Sequence, residues 1–256
     1  MRWEPQRYLR FERERTQPAR DLAARLALTS PRTLIDLGCG PGNSTAVLAE
    51  RFAGAELVGV DVAQEMLQRA RAAHPELRFE QGDARSLEPK APPDLIFSNA
   101  CLQWLPDHAA LFGRLFGLLS PGGVLAVQLP FHLQSPLHRA MDALAREGPW
   151  APRMGAALEA LTVHGPEFYY EALAPAAAGV ELWVTSYLHV LEGHRAIFDW
   201  IASSGLRPFH AALGQGSDRH DFDRALLAAI ERDYPLRSDG RVLFAFPRLF
   251  IVAHAP

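Results

Sequence analysis

This 256-residue chain has little cysteine, no long apolar run and no excess of positive charge. Only Cys39 and Cys101 are present, which excludes a disulfide framework as the basis of the fold. The formal net charge of -3 gives no general attraction to nucleic acid or to an anionic membrane, so we expect neither as a partner. No apolar run reaches the length of a membrane span, and the first residues lack the apolar core of a signal peptide. We therefore expect a cytoplasmic protein.

Metal-binding spacings are also missing. The chain has ten histidines, but none forms a two-ligand pair beside an acid, and no C-x-x-C is present. We expect no metal site, and nothing in the sequence indicates an obligate protein partner.

What is present is an alternation of short apolar runs with amphipathic stretches, which is typical of β-α units. The pattern predicts an α/β protein with a Rossmann-like, doubly wound, mostly parallel seven-stranded sheet. The predicted strands are residues 34–37, 57–60, 77–80, 95–98, 124–129, 181–191 and 241–253. The predicted helices are residues 18–27, 44–51, 63–73, 108–119, 135–146, 154–161, 166–174, 195–203 and 222–233.

The most distinctive stretch follows the first predicted strand and runs Asp36-Leu37-Gly38-Cys39-Gly40-Pro41-Gly42-Asn43. Three alternating glycines between a strand and a helix leave a backbone bare enough for a ligand to approach closely. Asp61, at the tip of the second predicted strand, is placed to accept hydrogen bonds from both hydroxyls of a ribose. Together these features predict a site for an adenosine-containing cofactor.

The glycine spacing and Asp36 indicate which adenosine cofactor this is. A dinucleotide site has the spacing G-x-G-x-x-G and holds a pyrophosphate, which a carboxylate just upstream would repel. No Gly-Lys-Ser/Thr follows, so a P-loop is excluded. A carboxylate at position 36 suits an ammonium group, and we therefore predict S-adenosylmethionine, with S-adenosylhomocysteine as its product.

Further candidates lie near the other strand tips, where ligands gather in open α/β sheets. Asp83 is either an adenine ligand or a helix cap, Trp104 either lies near the sulfonium or belongs to the core, and Arg15 either closes over the cofactor or is a solvated helix charge. The predicted cofactor-binding residues are Arg15, Asp36, Gly38, Gly40, Gly42, Asn43, Asp61, Met66, Asp83, Ala84, Asn99, Ala100 and Trp104.

With these motifs in place, residues 33–130 resemble the class I S-adenosylmethionine-dependent methyltransferases. Further segments outside the cofactor motifs are Trp3-Glu4-Pro5, Leu102-Gln103-Trp104-Leu105-Pro106-Asp107-His108, Phe168-Tyr169-Tyr170, Asp199-Trp200, Gly205-Leu206-Arg207-Pro208 and Phe246-Pro247-Arg248-Leu249-Phe250. With these segments, the chain looks like the trans-aconitate 2-methyltransferases over nearly its full length, and it departs from the family pattern around residues 130–133 and 148–155. This resemblance implies formation of a methyl ester on a small tricarboxylic acid.

The domain organisation that we expect has three parts. Residues 1–130 form an N-terminal lid segment and the cofactor-binding half, residues 131–180 a proline-punctuated helical insertion that covers the substrate site, and residues 181–256 the strands and helices that complete the sheet.

The acceptor chemistry needs positioning rather than a catalytic base. A carboxylate is already ionised at neutral pH, so we assign no catalytic residue. Binding several carboxylates calls for guanidinium groups, and Arg207 and Arg248, each among apolar neighbours, are either aimed into a pocket or lie over an apolar surface. Further substrate-binding candidates, each either a ligand or structural, are Gln103, His164, Tyr169, Tyr170 and His189.

Two alternatives remain open. One is a methyltransferase for another carboxylate acceptor, such as an acyl-carrier-protein-bound malonyl group, although the chain has no clustered Lys/Arg run for docking and Lys90 is its one lysine. The other is a catalytically silent methyltransferase-like scaffold, which would tolerate loss of Asp61 or of the glycines.

Overall fold

The structure is a computed structural model that describes residues 11–132 and 134–256, without the side chain of Glu12. The predicted motif at residues 3–5 lies outside these residues. Among the described residues, no helix combines the length and the hydropathy that a membrane crossing requires.

A seven-stranded sheet organises the chain, with the strand order β3-β2-β1-β4-β5-β7-β6. Strands β1 to β5 pair in parallel, and β7 runs antiparallel to β5. The predicted fold class is therefore confirmed, and each observed strand begins and ends within two residues of its predicted bounds. The strands are β1 (Thr33–Leu37), β2 (Glu56–Asp61), β3 (Arg78–Gln81), β4 (Leu95–Asn99), β5 (Val124–Pro130), β6 (Gly179–Leu191) and β7 (Val242–His254).

The helices follow the predicted order, but the helix predicted at residues 108–119 ends at Phe116 and the one predicted at residues 154–161 spans only Gly155–Leu158. Three further differences concern where helices begin and a helix that was not predicted. The first helix begins at Glu12, so that Pro18 lies inside it rather than near its start, and the last begins at Ser217 rather than at residue 222. A seven-residue helix that starts with Arg207 and Pro208 was not predicted, because two turns are too short to show an apolar period. The helices are α1 (Glu12–Arg25), α2 (Asn43–Arg51), α3 (Gln64–Ala73), α4 (His108–Phe116), α5 (Pro136–Glu147), α6 (Gly155–Leu158), α7 (Pro166–Leu173), α8 (His194–Ala202), α9 (Arg207–Leu213) and α10 (Ser217–Asp233).

The chain divides into two compact units. The first, here called the sheet unit, comprises residues 15–130, 162–185 and 248–256, and it contains β1 to β5 and all the predicted cofactor-binding residues. The second, here called the helical unit, comprises residues 11–14, 131–132, 134–161 and 186–247 among those described. Its core packs α5, α8 and α10 around large aromatic side chains that include Trp200, Phe222 and Phe244. The three-part division at residues 130 and 180 stays a prediction.

Candidate active site

The glycine turn between β1 and α2 has the backbone that its sequence requires. Gly38, Gly40 and Gly42 all have positive φ angles, of 76°, 54° and 95°, where an L side chain is strained. The backbone N–H groups of Gly38 and Cys39 both donate to the carbonyl of Val60 on β2, at 2.7 and 3.1 Å. Apart from Gly40 and its two chain neighbours, no described atom lies within 4 Å of the position that a Cβ would take at Gly40, which leaves open space there for a ligand.

Asp36 lies at the fully buried end of β1. Its Oδ2 accepts hydrogen bonds from the hydroxyls of Ser44 and Thr45, at 2.7 and 2.6 Å, whereas its Oδ1 has no hydrogen-bond partner among the described residues. Burial raises the pKa of this carboxyl group to about 6, even though the two hydroxyls favour its ionised form. An unsatisfied, buried carboxylate oxygen is the acceptor that a cationic ligand would complete.

Asp61, at the end of β2, links the two predicted parts of the cofactor site. Its Oδ2 accepts from the backbone N–H of Gly40 at 2.9 Å, and its Oδ1 accepts from that of Ala63 at 2.8 Å. Each carboxylate oxygen can accept a second hydrogen bond, so the side chain keeps capacity for the two hydroxyls of a ribose.

Asp83 is a helix cap in this structure. Its Oδ1 accepts from the backbone N–H of Arg85 at 2.8 Å and so begins the short 3₁₀ turn Ala84–Ser86. The Arg85 guanidinium donates to the same carboxyl group and holds its pKa below the ordinary value. Sequence reasoning missed Arg114 on α4. Its guanidinium donates hydrogen bonds to the carbonyls of Ala84, Arg85 and Leu87 and so holds this turn in place. An adenine contact by Asp83 and Ala84 stays a prediction.

Unsatisfied amides gather where β4 ends. Asn99 Oδ1 has no hydrogen-bond partner in the described part of the chain, and Ala100 beside it has a φ of 54°. Gln103 is buried, and its Nε2 donates to the Ala100 carbonyl at 2.7 Å while its Oε1 finds no described donor. Trp104 is 40% exposed, so the indole does not belong to the core.

A chain of hydrogen bonds fixes the 102–104 turn against α7. Both ring nitrogens of His108 form hydrogen bonds: Nε2 lies 3.1 Å from the Leu102 carbonyl oxygen, and Nδ1 lies 2.8 Å from the Tyr169 hydroxyl. Because the carbonyl requires an N–H at Nε2, the Tyr169 hydroxyl must donate to Nδ1, and it accepts in turn from the His164 backbone N–H. Burial lowers the pKa of His108 and raises that of Tyr169 to about 12, so both stay neutral. The Tyr169 hydroxyl is thus engaged within the fold.

Gln128 on β5 is a second residue that the sequence reasoning did not single out. Its side chain is fully buried, and neither Nε2 nor Oε1 has a hydrogen-bond partner among the described residues. The signal for it was a single amide in a strand whose other six residues are apolar.

The remaining predicted residues have varied surroundings. In the sheet unit, Asn43 donates to the Thr16 hydroxyl at 3.3 Å and Tyr170 is 53% exposed. Arg248 is buried in β7, whereas Arg207 begins α9 in the helical unit and is exposed. The others are partly buried or packed on aromatic rings: Arg15 in α1, Met66 in the first turn of α3, His164 stacked on Phe168, and His189 packed 4.6 Å from the Trp200 ring. The roles of all these residues in binding stay predictions.

A pH dependence follows from Asp36. An ammonium group on the ligand favours the ionised carboxyl group, so the affinity for S-adenosylhomocysteine should weaken as the pH falls below about 6, by up to tenfold per unit. Calorimetric titrations of the protein between pH 5 and pH 8 check this. The Asp36→Asn variant should bind more weakly at neutral pH and lose the dependence, and a wild-type affinity that is constant down to pH 5 would contradict the prediction.

Comparisons with known proteins agree with this arrangement. A family model described as "Methyltransferase domain" matches residues 34–123, the segment that contains the glycine turn and Asp61. Among solved structures, phosphoethanolamine N-methyltransferase 2 of Haemonchus contortus, in complex with S-adenosyl-L-methionine, superposes with a TM-score of 0.57 at 18% identity, over 94% of this chain and 52% of that one. This likeness supports the fold.

Curated relatives are far more similar. A trans-aconitate 2-methyltransferase of Methylobacterium radiotolerans is 52% identical, over 98% of this chain and 97% of that protein. Another from Azoarcus sp. is 49% identical over 98% of both chains. The chain belongs to the trans-aconitate 2-methyltransferase family.

Proposed function

We propose that this protein transfers a methyl group from S-adenosylmethionine to a carboxylate of trans-aconitate and so forms a methyl ester. The observation that carries the proposal is the identity of 52% over almost the whole chain to a relative of that name. We further propose that it acts in the cytoplasm on the free acid and requires no protein partner.

The residues of the sheet unit fit the cofactor. The open space at Gly40 admits a ligand against bare backbone, and Asp61 is bonded to that same glycine. The buried oxygens Asp36 Oδ1 and Asn99 Oδ1, which have no partner among the described residues, are acceptors for an ammonium group. When bound, S-adenosylmethionine supplies an electrophilic methyl group on a positively charged sulfur.

The acceptor brings its own nucleophile. With an ordinary pKa near ~4, a carboxylate is ionised at neutral pH, so no side chain has to remove a proton. The task of the protein is to hold the attacking oxygen in line with the methyl carbon, an effect whose ceiling is about 7–11 kcal/mol. Arg248, buried in β7, and Arg207, on α9, are the groups that we assign to the substrate carboxylates.

The absence of a catalytic base has a measurable consequence. We expect kcat to change by less than about twofold between pH 6.5 and pH 9, because the attacking group does not titrate in that range. Steady-state assays with saturating cofactor and acceptor measure this. A rise through an apparent pKa near 7 would contradict the mechanism.

The function itself is tested with methyl-labelled S-adenosylmethionine and a panel of acids. We expect label to enter trans-aconitate, to be released as methanol by mild base, and to enter cis-aconitate, citrate and malonate more slowly. Release by mild base identifies an ester rather than an ether or an amine. Faster labelling of a thioester-linked malonyl group than of trans-aconitate would overturn the proposed acceptor.

A further inference from the structure

The side-chain amide of Gln128 is both buried and without hydrogen-bond partners among the described residues. It is fully buried, so the polar atoms of its amide cannot reach bulk water, and a buried amide without partners costs about 1–3 kcal/mol. A bound ligand that completes the hydrogen bonds would remove this cost. The position of the amide in the sheet indicates which ligand that is.

The strand register places this amide among the site residues. Gln128 pairs with Asn99 on β4, and Asn99 is the last residue of that strand. Residues that pair in register point to the same face of a sheet, so the two amides lie side by side, about 4.8 Å apart at their Cα atoms. The backbone also joins them, because the N–H of Ala100 donates to the Gln128 carbonyl at 3.0 Å.

Residues proposed to bind the cofactor and the substrate lie on the same face of the sheet as Gln128. Asp36 pairs with Phe97, two residues before Asn99, and therefore points to the same side as the amides. Strand β7 pairs with β5 on the side away from β4, and there Pro130 pairs with Arg248. Pro130 is two residues after Gln128, so Arg248 points to the same face as Gln128, at a Cα distance of about 8 Å. Gln128 thus lies between a residue assigned to the cofactor and a residue assigned to the substrate.

The charge balance of methyl transfer favours a neutral group at this point. The attacking carboxylate oxygen forms an O–CH₃ bond while the S–CH₃ bond breaks, the electron pair of that bond stays on sulfur, and no proton moves. The carboxylate loses its negative charge, so a guanidinium bound to it would stabilise the ground state more than the transition state. An uncharged amide donor orients the oxygen with a smaller penalty, which leaves the arginines for the carboxylates that do not react.

We propose that Gln128 binds the carboxylate that becomes methylated, donating from Nε2 to the oxygen that does not attack. This inference rests on the proposed function. The Oε1 atom is left to accept from the Asn99 amide, one strand spacing away, or from a bound water. Gln128 is therefore a binding residue for the reacting group.

The first test replaces the amide by an apolar group of similar length, in Gln128→Met. We expect kcat/KM for trans-aconitate to fall about 10- to 100-fold, since a hydrogen bond to a charged group is lost. Calorimetry should show weaker binding of trans-aconitate to the S-adenosylhomocysteine complex, with the affinity for S-adenosylhomocysteine itself within twofold. The Tm should not fall, because removing a buried, unsatisfied amide does not destabilise the fold.

The matched control is Leu129→Met, the same new residue one position further along β5. Leu129 is fully buried and points to the opposite face, and a volume-conserving change costs little. We expect kcat/KM within twofold of wild type.

The second test is Gln128→Glu, which keeps the shape and adds a negative charge beside the substrate. We expect kcat/KM to fall at least 100-fold at pH 8 and to recover in part towards pH 6, because burial and the neighbouring carboxylate raise the pKa of the new group. The wild type should show no such recovery. This pH profile also decides the matter if Gln128→Met is too unstable to assay.

The outcomes separate the two proposals. A wild type that methylates no acid of the panel overturns the proposed function and this inference with it. A wild type that methylates trans-aconitate, with a Gln128→Met variant within twofold of it or a Gln128→Glu variant without pH dependence, overturns only the role of Gln128.

Discussion

Replacing Asp61 by alanine is expected to weaken the binding of S-adenosylhomocysteine by about 100- to 1,000-fold. In the binding mode that we propose, the carboxylate accepts two hydrogen bonds from the ribose, and a hydrogen bond to a charged group is worth about 1.5–3 kcal/mol. It also holds the glycine turn, because its Oδ2 accepts from the Gly40 N–H. Isothermal titration of the variant and the wild type measures the change in Kd.

The control for this prediction is Asp94→Ala. Asp94 also accepts backbone hydrogen bonds, from Arg32 and Thr33 at 2.6 and 3.2 Å, but at the opposite edge of the sheet, where β1 and β4 begin. We expect this variant to lose thermal stability and keep its affinity for S-adenosylhomocysteine within twofold. Equal losses of affinity in both variants would show that Asp61 acts through the fold alone.

Replacing Arg248 by methionine is expected to raise the KM for trans-aconitate by about 100-fold. Arg248 is 6% exposed, and a buried guanidinium that binds a carboxylate with two parallel hydrogen bonds contributes strongly to affinity. The kcat should change less than KM, because we assign Arg248 to a carboxylate that does not react. Steady-state kinetics with varied acceptor concentration give both constants.

Two further variants make the result specific. Arg248→Lys keeps the charge without the planar guanidinium and should recover only part of the affinity. Arg241→Met removes an exposed arginine at the other end of β7, just before the strand, and should leave KM unchanged. If KM for trans-aconitate does not move in Arg248→Met, then Arg248 does not bind substrate.

Much of the fold follows from local patterns in the sequence. The apolar runs that became β1, β4 and β5 are short and buried, and amphipathic helices follow β1, β2 and β4, which is the regularity on which the prediction rests. Helix α9 was missed because it has only seven residues, and α1 was predicted to start too late because Pro18 suggested a first turn. In both cases tertiary packing outweighed a weak local signal.

The candidate site was predictable only in part, for a related reason. The glycine turn and Asp61 are carried by contiguous motifs, so their spacing alone indicates a ligand. The surroundings of Tyr169 and Gln128 depend on pairings between distant segments: the Tyr169 hydroxyl meets His108 on α4, and the Gln128 amide lies beside Asn99 on β4. A hydrogen bond that is made, or left unmade, by residues far apart in the chain leaves no trace in local composition.

Close packing at the glycine turn also limits which residues position 38 can accept. A Cβ at Gly38 would lie 2.1 Å from the sulfur of Cys101, so two positions far apart in the chain share one small volume. The Cβ of Cys101 would lie 2.3 Å from the same point, so alanine at position 101 would keep the overlap and only glycine would remove it. The φ of 76° at Gly38 would remain unfavourable for any side chain, and a compensating change at position 101 therefore cannot rescue a substitution at Gly38.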